Sequence, residues 1–345
     1  QADGAVYTWG DNTGGQLGLG YFGGIVSTPT QLGITNAVDV AAGVWHSMAL
    51  LSDGTVRAWG WNSYGQLGDG TTTERSTPVQ VSGLSGVAAI ASGNSQGLAL
   101  LNNGTVRAWV YNGYGQLGDG TTTNRSTPVA VPGLANIVAI AAGDDHSLAL
   151  RADGRLFVWG WNGYGQLGDG TTTNRVSPTM LSTPTNVVAI AAGWRHSLAV
   201  RADGVAYSCG SNSNGQLGRS GSTLSMLAIG SISNVADVSA GGLDSFALLA
   251  KGGVMGWGRR CTSAPSTPSR SRRWSEQHDL YRPRAASAAA CGAPSSQSRR
   301  RRFGPAGSSS RQIVTPHPRS PSTACSRLVS SIGGHHKAGL PPEGG

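Results

Sequence analysis

His46, His146 and His196 are each followed directly by a serine, Ser47, Ser147 and Ser197. Two chemistries suggest themselves from those residue types. Three imidazoles are a common ligand set for a metal ion, and a histidine beside a serine is part of a nucleophilic triad. The spacing argues against both. The histidines fall at one point of a fifty-residue period, so each sits on a separate copy of a structural unit, and Gln96 and Asp244 take the slot in two further copies. A histidine hydrogen-bonding inside its own unit is the favoured reading over a metal ligand. No acidic partner recurs with the serines, and no nucleophile elbow is present. Asp53, Asp153 and Asp203 each precede a glycine, as turn carboxylates do. Glycine-rich runs such as Gly65-Gln66-Leu67-Gly68-Asp69-Gly70 lack the Lys-Ser/Thr ending and the following helix of a phosphate loop. The expectation is a non-enzyme without catalytic residues, metal or cofactor.

The elements that carry these residues follow from the period. Trp9, Trp59, Trp109 and Trp159 recur every fifty residues, Cys209 takes the next slot, and Trp257 comes two residues early. Gly15-Gln16-Leu17-Gly18 recurs at 65, 115, 165 and 215. Within a unit, Val187–Ala192 is a short apolar run suited to a strand buried on both faces. His196–Val200 and Val205–Tyr207 flank Asp203-Gly204, a hairpin signal because glycine tolerates the positive φ of the turn. The same hairpin is expected at Asp53-Gly54, Asn103-Gly104 and Asp153-Gly154. Pro78, Pro128 and Pro178 are expected to precede a fourth, outer edge strand, where a missing donor does least harm. Four short antiparallel strands per repeat predict β-propeller blades. Glycines at the strand starts would let the sheets converge, and the tryptophans and the leucine of each Gly-Gln-Leu-Gly would fill the space between blades.

The unit Ala-Gly-x-x-His-Ser-Leu-Ala-Leu, Asp-Gly-x-Val-x-x-Trp-Gly, Asn-x-x-Gly-Gln-Leu-Gly-Asp-Gly resembles the repeat of the regulator of chromosome condensation family, over residues 1–258. The resemblance implies a seven-bladed propeller and a binding role. The array here amounts to a little over five blades, entering mid-unit at Ala5 and stopping after Gly258. Members of the family include exchange factors for the small GTPase Ran, which makes guanine-nucleotide exchange, with chromatin contact, the alternative function. Against it, units 37–236 are nearly uniform and carry no inserted wedge. Gly193-Trp194-Arg195-His196-Ser197 is similar to the motif with which a plant photoreceptor of the family builds a tryptophan cluster. The equivalents in neighbouring units, Val44-Trp45, Asn94-Ser95 and Asp144-Asp145, do not repeat it, so light sensing is not expected. These pairs, with Trp194-Arg195 and Gly242-Leu243, vary while the unit stays constant. They are the candidate rim for an unidentified protein partner, set against the plainer reading of freely drifting loop positions.

The formal charge of +9 divides sharply. Residues 1–258 hold eleven Lys and Arg against fourteen Asp and Glu; residues 259–345 hold fifteen against three. The second segment is rich in Arg, Ser, Pro and Ala and is expected to be disordered. Two readings of it stand: a native basic tail, in which Arg299, Arg300, Arg301 and Arg302 would bind nucleic acid without sequence preference, or an out-of-frame translation whose proper register supplied the remaining blades. The second is favoured, because the array stops in mid-blade. Cys209 stands alone in the first part, and Cys261, Cys291 and Cys325 have neither disulfide-framework nor CxxC spacing. No apolar run is long enough to span a membrane. The N-terminus reads as that of a mature product or fragment. Uniform units, abundant Gly and Thr, and scarce Lys point to a bacterial-type member, exported or at the cell surface rather than cytoplasmic or nuclear.

Overall fold

A computed structural model describes residues 4–94, 96–259 and 269–270. All of them lie in one compact unit, Gln1–Gln277 with Ser326–Gly345; the second unit, His278–Cys325, lies outside the described residues. The described residues form six antiparallel sheets and no α-helix. Five have four strands in sequential order. The second blade is typical, with strands Ala37–Ala42, His46–Leu51, Val56–Gly60 and Arg75–Gln80. The third, fourth, fifth and sixth blades begin at Val87, Ile137, Val187 and Val235. The first blade has two strands, Tyr7–Asp11 and Ile25–Gln31, which match the outer pair of the others. This is the propeller of a little over five blades that the repeat predicts.

Local chemistry explains the strand ends. Gly54, Gly104, Gly154 and Gly204 close the middle hairpin with φ between 74° and 78°, and the Asp53 carboxylate accepts from Thr55 N–H at 2.9 Å. The outer-strand prolines differ from expectation: Pro78, Pro128 and Pro178 lie inside the strands Arg75–Gln80, Arg125–Ala130 and Arg175–Met180. In the second blade the ladder breaks between the pairs Ala58↔Val79 and Gly60↔Arg75. Pro78 occupies that break on an edge strand, so its absent N–H forfeits no ladder bond. The innermost strands also differ, for they are not buried on both faces. Val38, Val138 and Val188 are exposed, because each sits at the register shift that opens its strand and has no cross-strand partner.

The core lies between blades rather than within one. Leu50 and Val56 of the second blade pack with Val87, Ile90 and Trp109 of the third, and Leu98 and Leu100 of the third pack with Ile137, Phe157 and Trp159 of the fourth. One carbonyl organises each seam. Gln116 O, in the Gly-Gln-Leu-Gly turn of the third blade, accepts from Trp159 Nε1 at 2.9 Å and from Ser147 Oγ at 3.0 Å, both in the fourth. Gln16 O does the same with Trp59 and Ser47, and Gln216 O with Trp257 and Ser245. Gln166 O takes Ser197 Oγ and, at 3.2 Å, the Cys209 thiol that replaces the indole.

Near the inner end of each seam, glycine is required for close approach. A Cβ on Gly193 would stand 2.5 Å from the carbonyl oxygen of Gly241, and one on Gly143 would stand 2.6 Å from that of Gly193. Where no neighbouring blade is described, the same surfaces stay open. Trp9 is 46% exposed while Trp159 is fully buried, and Phe246 and Leu248 of the sixth blade are exposed where Leu198 and Val200 of the fifth are covered. Outside the expected boundary at 258, Ser269–Arg270 pair with Met255 and Gly256 as a fourth strand of the sixth blade. Two residues of the segment expected to be disordered are thus added to the edge of Val254–Gly258, and Arg259 N–H donates to Leu243 O; the remainder of that segment lies outside the described residues.

Two changes test the seam in thermal or denaturant unfolding. Trp159→Ala should cost about 3–5 kcal/mol, whereas Trp9→Ala should cost under about 1 kcal/mol, because only the first is buried between blades. Gly193→Ala should lower stability by about 3 kcal/mol through the backbone it strikes in the next blade.

Candidate functional site

The histidines were expected to hydrogen-bond within their own blades, and instead they reach across the seams. His146 Nε2 meets Ser197 Oγ at 2.9 Å and His196 Nε2 meets Ser245 Oγ at 2.8 Å. Because Ser197 Oγ donates its own proton to Gln166 O, it must accept from His146, which assigns the proton to Nε2 and leaves Nδ1 bare. Burial holds His46 and His196 near a pKa of about 4 and His146 near about 3. A second proton would land on an Nδ1 that has no hydrogen-bond partner. The third blade solves the seam otherwise. Gln96 replaces the histidine and donates Nε2 to His146 O at 2.9 Å. Gly97 replaces the serine because the Trp109 ring occupies the space of a Cβ there. The hydroxyl that His46 needs comes from Ser92, at 2.9 Å.

The variable pairs lie in the loops between the first and second strands of each blade. The loops after the third strands are on the same face, since Trp61 N–H donates to Trp45 O, Trp161 N–H to Asp145 O and Ser211 N–H to Arg195 O. Neighbouring pairs are joined: Asp144 N–H donates to Trp194 O, and Trp194 N–H to Gly242 O, each at 3.2 Å. The Asn94 side chain hydrogen-bonds Asp144. Val44 and Trp45 are half-buried, as are Asn94, Asp144, Asp145, Gly242 and Leu243; Trp194 and Arg195 are exposed. The Trp194 indole lies over Gly242, where a Cβ would come within 2.8 Å of the ring. Ser95 and Arg299, Arg300, Arg301 and Arg302 lie outside the described residues.

Beside these pairs runs a feature that the sequence reading missed. Trp61 and Tyr64, Tyr111 and Tyr114, and Trp161 and Tyr164 form a continuous arc across three blades. Successive ring centroids are 5.4, 5.6, 6.1, 5.7 and 5.4 Å apart. The tyrosines of each pair, Tyr64, Tyr114 and Tyr164, are 38–45% exposed. The signal was an aromatic at the fourth and first positions before Gly-Gln-Leu-Gly in three consecutive units, where the first blade has Asp11 and Gly14 and the fifth Ser211 and Asn214. The turns that present the arc are rigid. Asn112 Oδ1 accepts from Leu117 N–H, its Nδ2 reaches Thr121 O and Thr123 O, and Gln116 Oε1 accepts from Tyr114 N–H.

At one end, the Arg195 guanidinium sits 5.4 Å from the Trp161 ring centroid and 5.1 Å from that of Tyr164, and donates to Tyr164 OH at 3.1 Å. Over the middle pair, the corresponding residue is Asp145, whose Oδ1 accepts from Gln116 Nε2 at 3.1 Å. Burial, then the adjacent Asp144, push the Asp145 carboxyl up to about 6 against the opposing pull of Arg195 and Gln116. Asp144 is likewise raised by burial. Among the described residues, no cluster of His, Cys, Asp or Glu could hold a metal ion, and no helix is long and apolar enough to cross a membrane. Burial also pushes the Cys209 thiol up to about 12, which leaves it a packing group.

Sheets arranged in this way define a β-propeller. Residues 1–185, just over half of the chain, match the model of the RCC1-like domain, and residues 187–216 match that of the regulator of chromosome condensation (RCC1) repeat. The chain belongs to this family. It is similar to yeast RCC1 (Prp20), whose crystal structure was solved bound to Kap60, at 27% identity and a TM-score of 0.68 over 79% of this chain and 71% of that one. It is also similar to human WBSCR16, at 26% identity and a TM-score of 0.69 over 79% and 78% of the two chains. Comparison with curated proteins finds no match.

Two pH-dependent outcomes follow. The imidazoles ionise near 6.5 in the unfolded chain and near 3 to 4 in the folded one, so the unfolded state gains protons first as pH falls. Their contribution is whole above about pH 6.5 and is lost towards about pH 4. Asp39 and Asp145, both raised to about 6, act in the opposite sense. Replacing all three histidines by Gln, as the third blade does, should leave Tm at about pH 7 little changed and reduce its fall between about pH 6.5 and 4.5. Asp145→Asn keeps an acceptor for Gln116 and removes the buried charge. It should therefore raise stability at about pH 7 by about 2 kcal/mol, with the gain vanishing by about pH 4 in denaturant titrations.

Proposed function

We propose that the chain is a protein-interaction scaffold without catalytic activity, and that its partner is met on the face carrying Val44-Trp45, Asn94-Ser95, Asp144-Asp145, Trp194-Arg195 and Gly242-Leu243. The observation that carries this reading is the Trp194-Arg195 pair. An exposed indole is seated on the glycine of the next blade while its neighbouring guanidinium is stacked on two rings. Tryptophan and arginine are the side chains that most often anchor protein interfaces, and they lose little entropy on binding when already held. The partners of each seam fix the backbone beneath, so side chains on this face can vary without loosening the fold. The yeast relative, crystallised with a protein bound, supports a binding role of this general kind.

Family membership gives a second reading, guanine-nucleotide exchange on a small GTPase. The two separate in the same preparation. Retention of partner proteins by the immobilised full chain should fall at least about fivefold in a Trp45→Ala, Trp194→Ala double variant, corresponding to about 1 kcal/mol or more. Undiminished retention refutes the rim. Faster release of labelled guanine nucleotide from any of a panel of small GTPases would establish the exchange reading in its place.

A further inference from the structure

Resting on the protein-binding reading above, we infer that the arc Trp61–Tyr64–Tyr111–Tyr114, beside Asp144 and Asp145, binds a linear peptide segment bearing arginine side chains, with a guanidinium seated on Tyr111 and Tyr114 as Arg195 is seated on Trp161 and Tyr164. The chain supplies its own template for the contact. In each of the three blades the turn before Gly-Gln-Leu-Gly carries an aromatic pair, and for the third and fourth blades the second member of the next blade's variable pair, Asp145 or Arg195, lies beside it. For Trp161 and Tyr164 that member is Arg195, and the cation is in place. The pair Tyr111 and Tyr114, with centroids 6.1 Å apart and planes at 78°, is built much like Trp161 and Tyr164, at 5.4 Å and 86°. The residue facing it is Asp145, so the rings have a carboxylate beside them and no cation of their own.

The charges favour the same ligand. Asp144 and Asp145 are adjacent, half-buried carboxylates, and Arg195, the cation acting on both, is committed to Tyr164 OH. A guanidinium arriving at Tyr111 and Tyr114 would meet two ring faces and the Asp145 carboxylate together. Each contact strengthens the other once water is displaced. Tyr64 lies 5.6 Å from Tyr111, which continues the platform to Trp61 and gives an extended segment a second ring pair to engage. Arginine suits the site better than lysine because its planar cation stacks on a ring while donating to a carboxylate at its edge.

The probe is a fluorescein-labelled Gly-Arg-Gly-Arg-Gly-Arg-Gly peptide titrated with the full-length chain and followed by anisotropy. Its control is the same peptide with citrulline at each arginine, which keeps shape and hydrogen bonding but not charge. The citrulline peptide should bind at least about tenfold more weakly, and Tyr114→Ala and Asp145→Asn should each weaken the arginine peptide at least about fivefold. Arg195→Ala, which vacates the third ring pair, should tighten it. Equal binding of the two peptides, full affinity in both variants, or no binding of either peptide overturns the inference. If the arginine peptide fails to bind while Trp45→Ala, Trp194→Ala still abolishes partner retention, the cation site is refuted and the protein-binding rim stands; loss of neither refutes both.

Discussion

Every seam between complete blades depends on one backbone carbonyl, that of the glutamine in Gly-Gln-Leu-Gly. A carbonyl oxygen has two lone pairs, and at Gln116 and Gln216 both are filled from the following blade, one by an indole N–H and one by a serine hydroxyl. At the Gln166 and Gln216 carbonyls the histidine of the same blade as the glutamine then donates to that hydroxyl. Buried in an apolar seam, these groups would each be costly without a partner, and the arrangement satisfies them as a set. It also fixes the angle between blades, because indole and hydroxyl must reach one point from different strands. The aromatic arc is tied to this contact, since the glutamine whose carbonyl accepts also binds, through Oε1, the N–H of the exposed tyrosine just before the turn.

Departures from the repeat show which parts of the seam are negotiable. Cys209 replaces an indole and still donates to the carbonyl. In the third blade the serine is absent and Gln66 O keeps only the Trp109 donor at this point, at 3.1 Å. Ser92 then supplies the hydroxyl that His46 requires, so the loss at residue 97 is offset five residues away in the same chain segment. Val110 stands where the other blades have glycine and adopts a φ of 103°. One blade therefore gathers several exceptions, of which the missing serine is offset by Ser92.

Much of this organisation was legible in the sequence, and the limits have physical causes. The tryptophan period, the Asp-Gly hairpins and the close-approach glycines reported the blades correctly because they follow from local geometry and from packing that every copy shares. The innermost strands were misread because a run such as Val187-Val188-Ala189 does not reveal the register shift that leaves Val188 unpaired. The prolines were displaced for the same reason: a ladder break cannot be read from composition. The histidine partners were missed because a fifty-residue repeat does not distinguish a bond within a unit from one to the next. The arc escaped notice because the adjacency of Trp61, Tyr111 and Trp161 with their tyrosines arises only once three blades stand side by side.

The seam has a consequence for how such a gene changes. Because each complete blade presents at least one donor, an indole or a thiol, to the glutamine carbonyl of the blade before it, one unit can follow another through the same contact. The third blade preserves that interchangeability by correcting its own exceptions internally. Unequal recombination between neighbouring repeats therefore inserts or removes a whole blade without creating a mismatched junction. Selection on copy number then acts through curvature and closure of the array, and not through the fit between adjoining members.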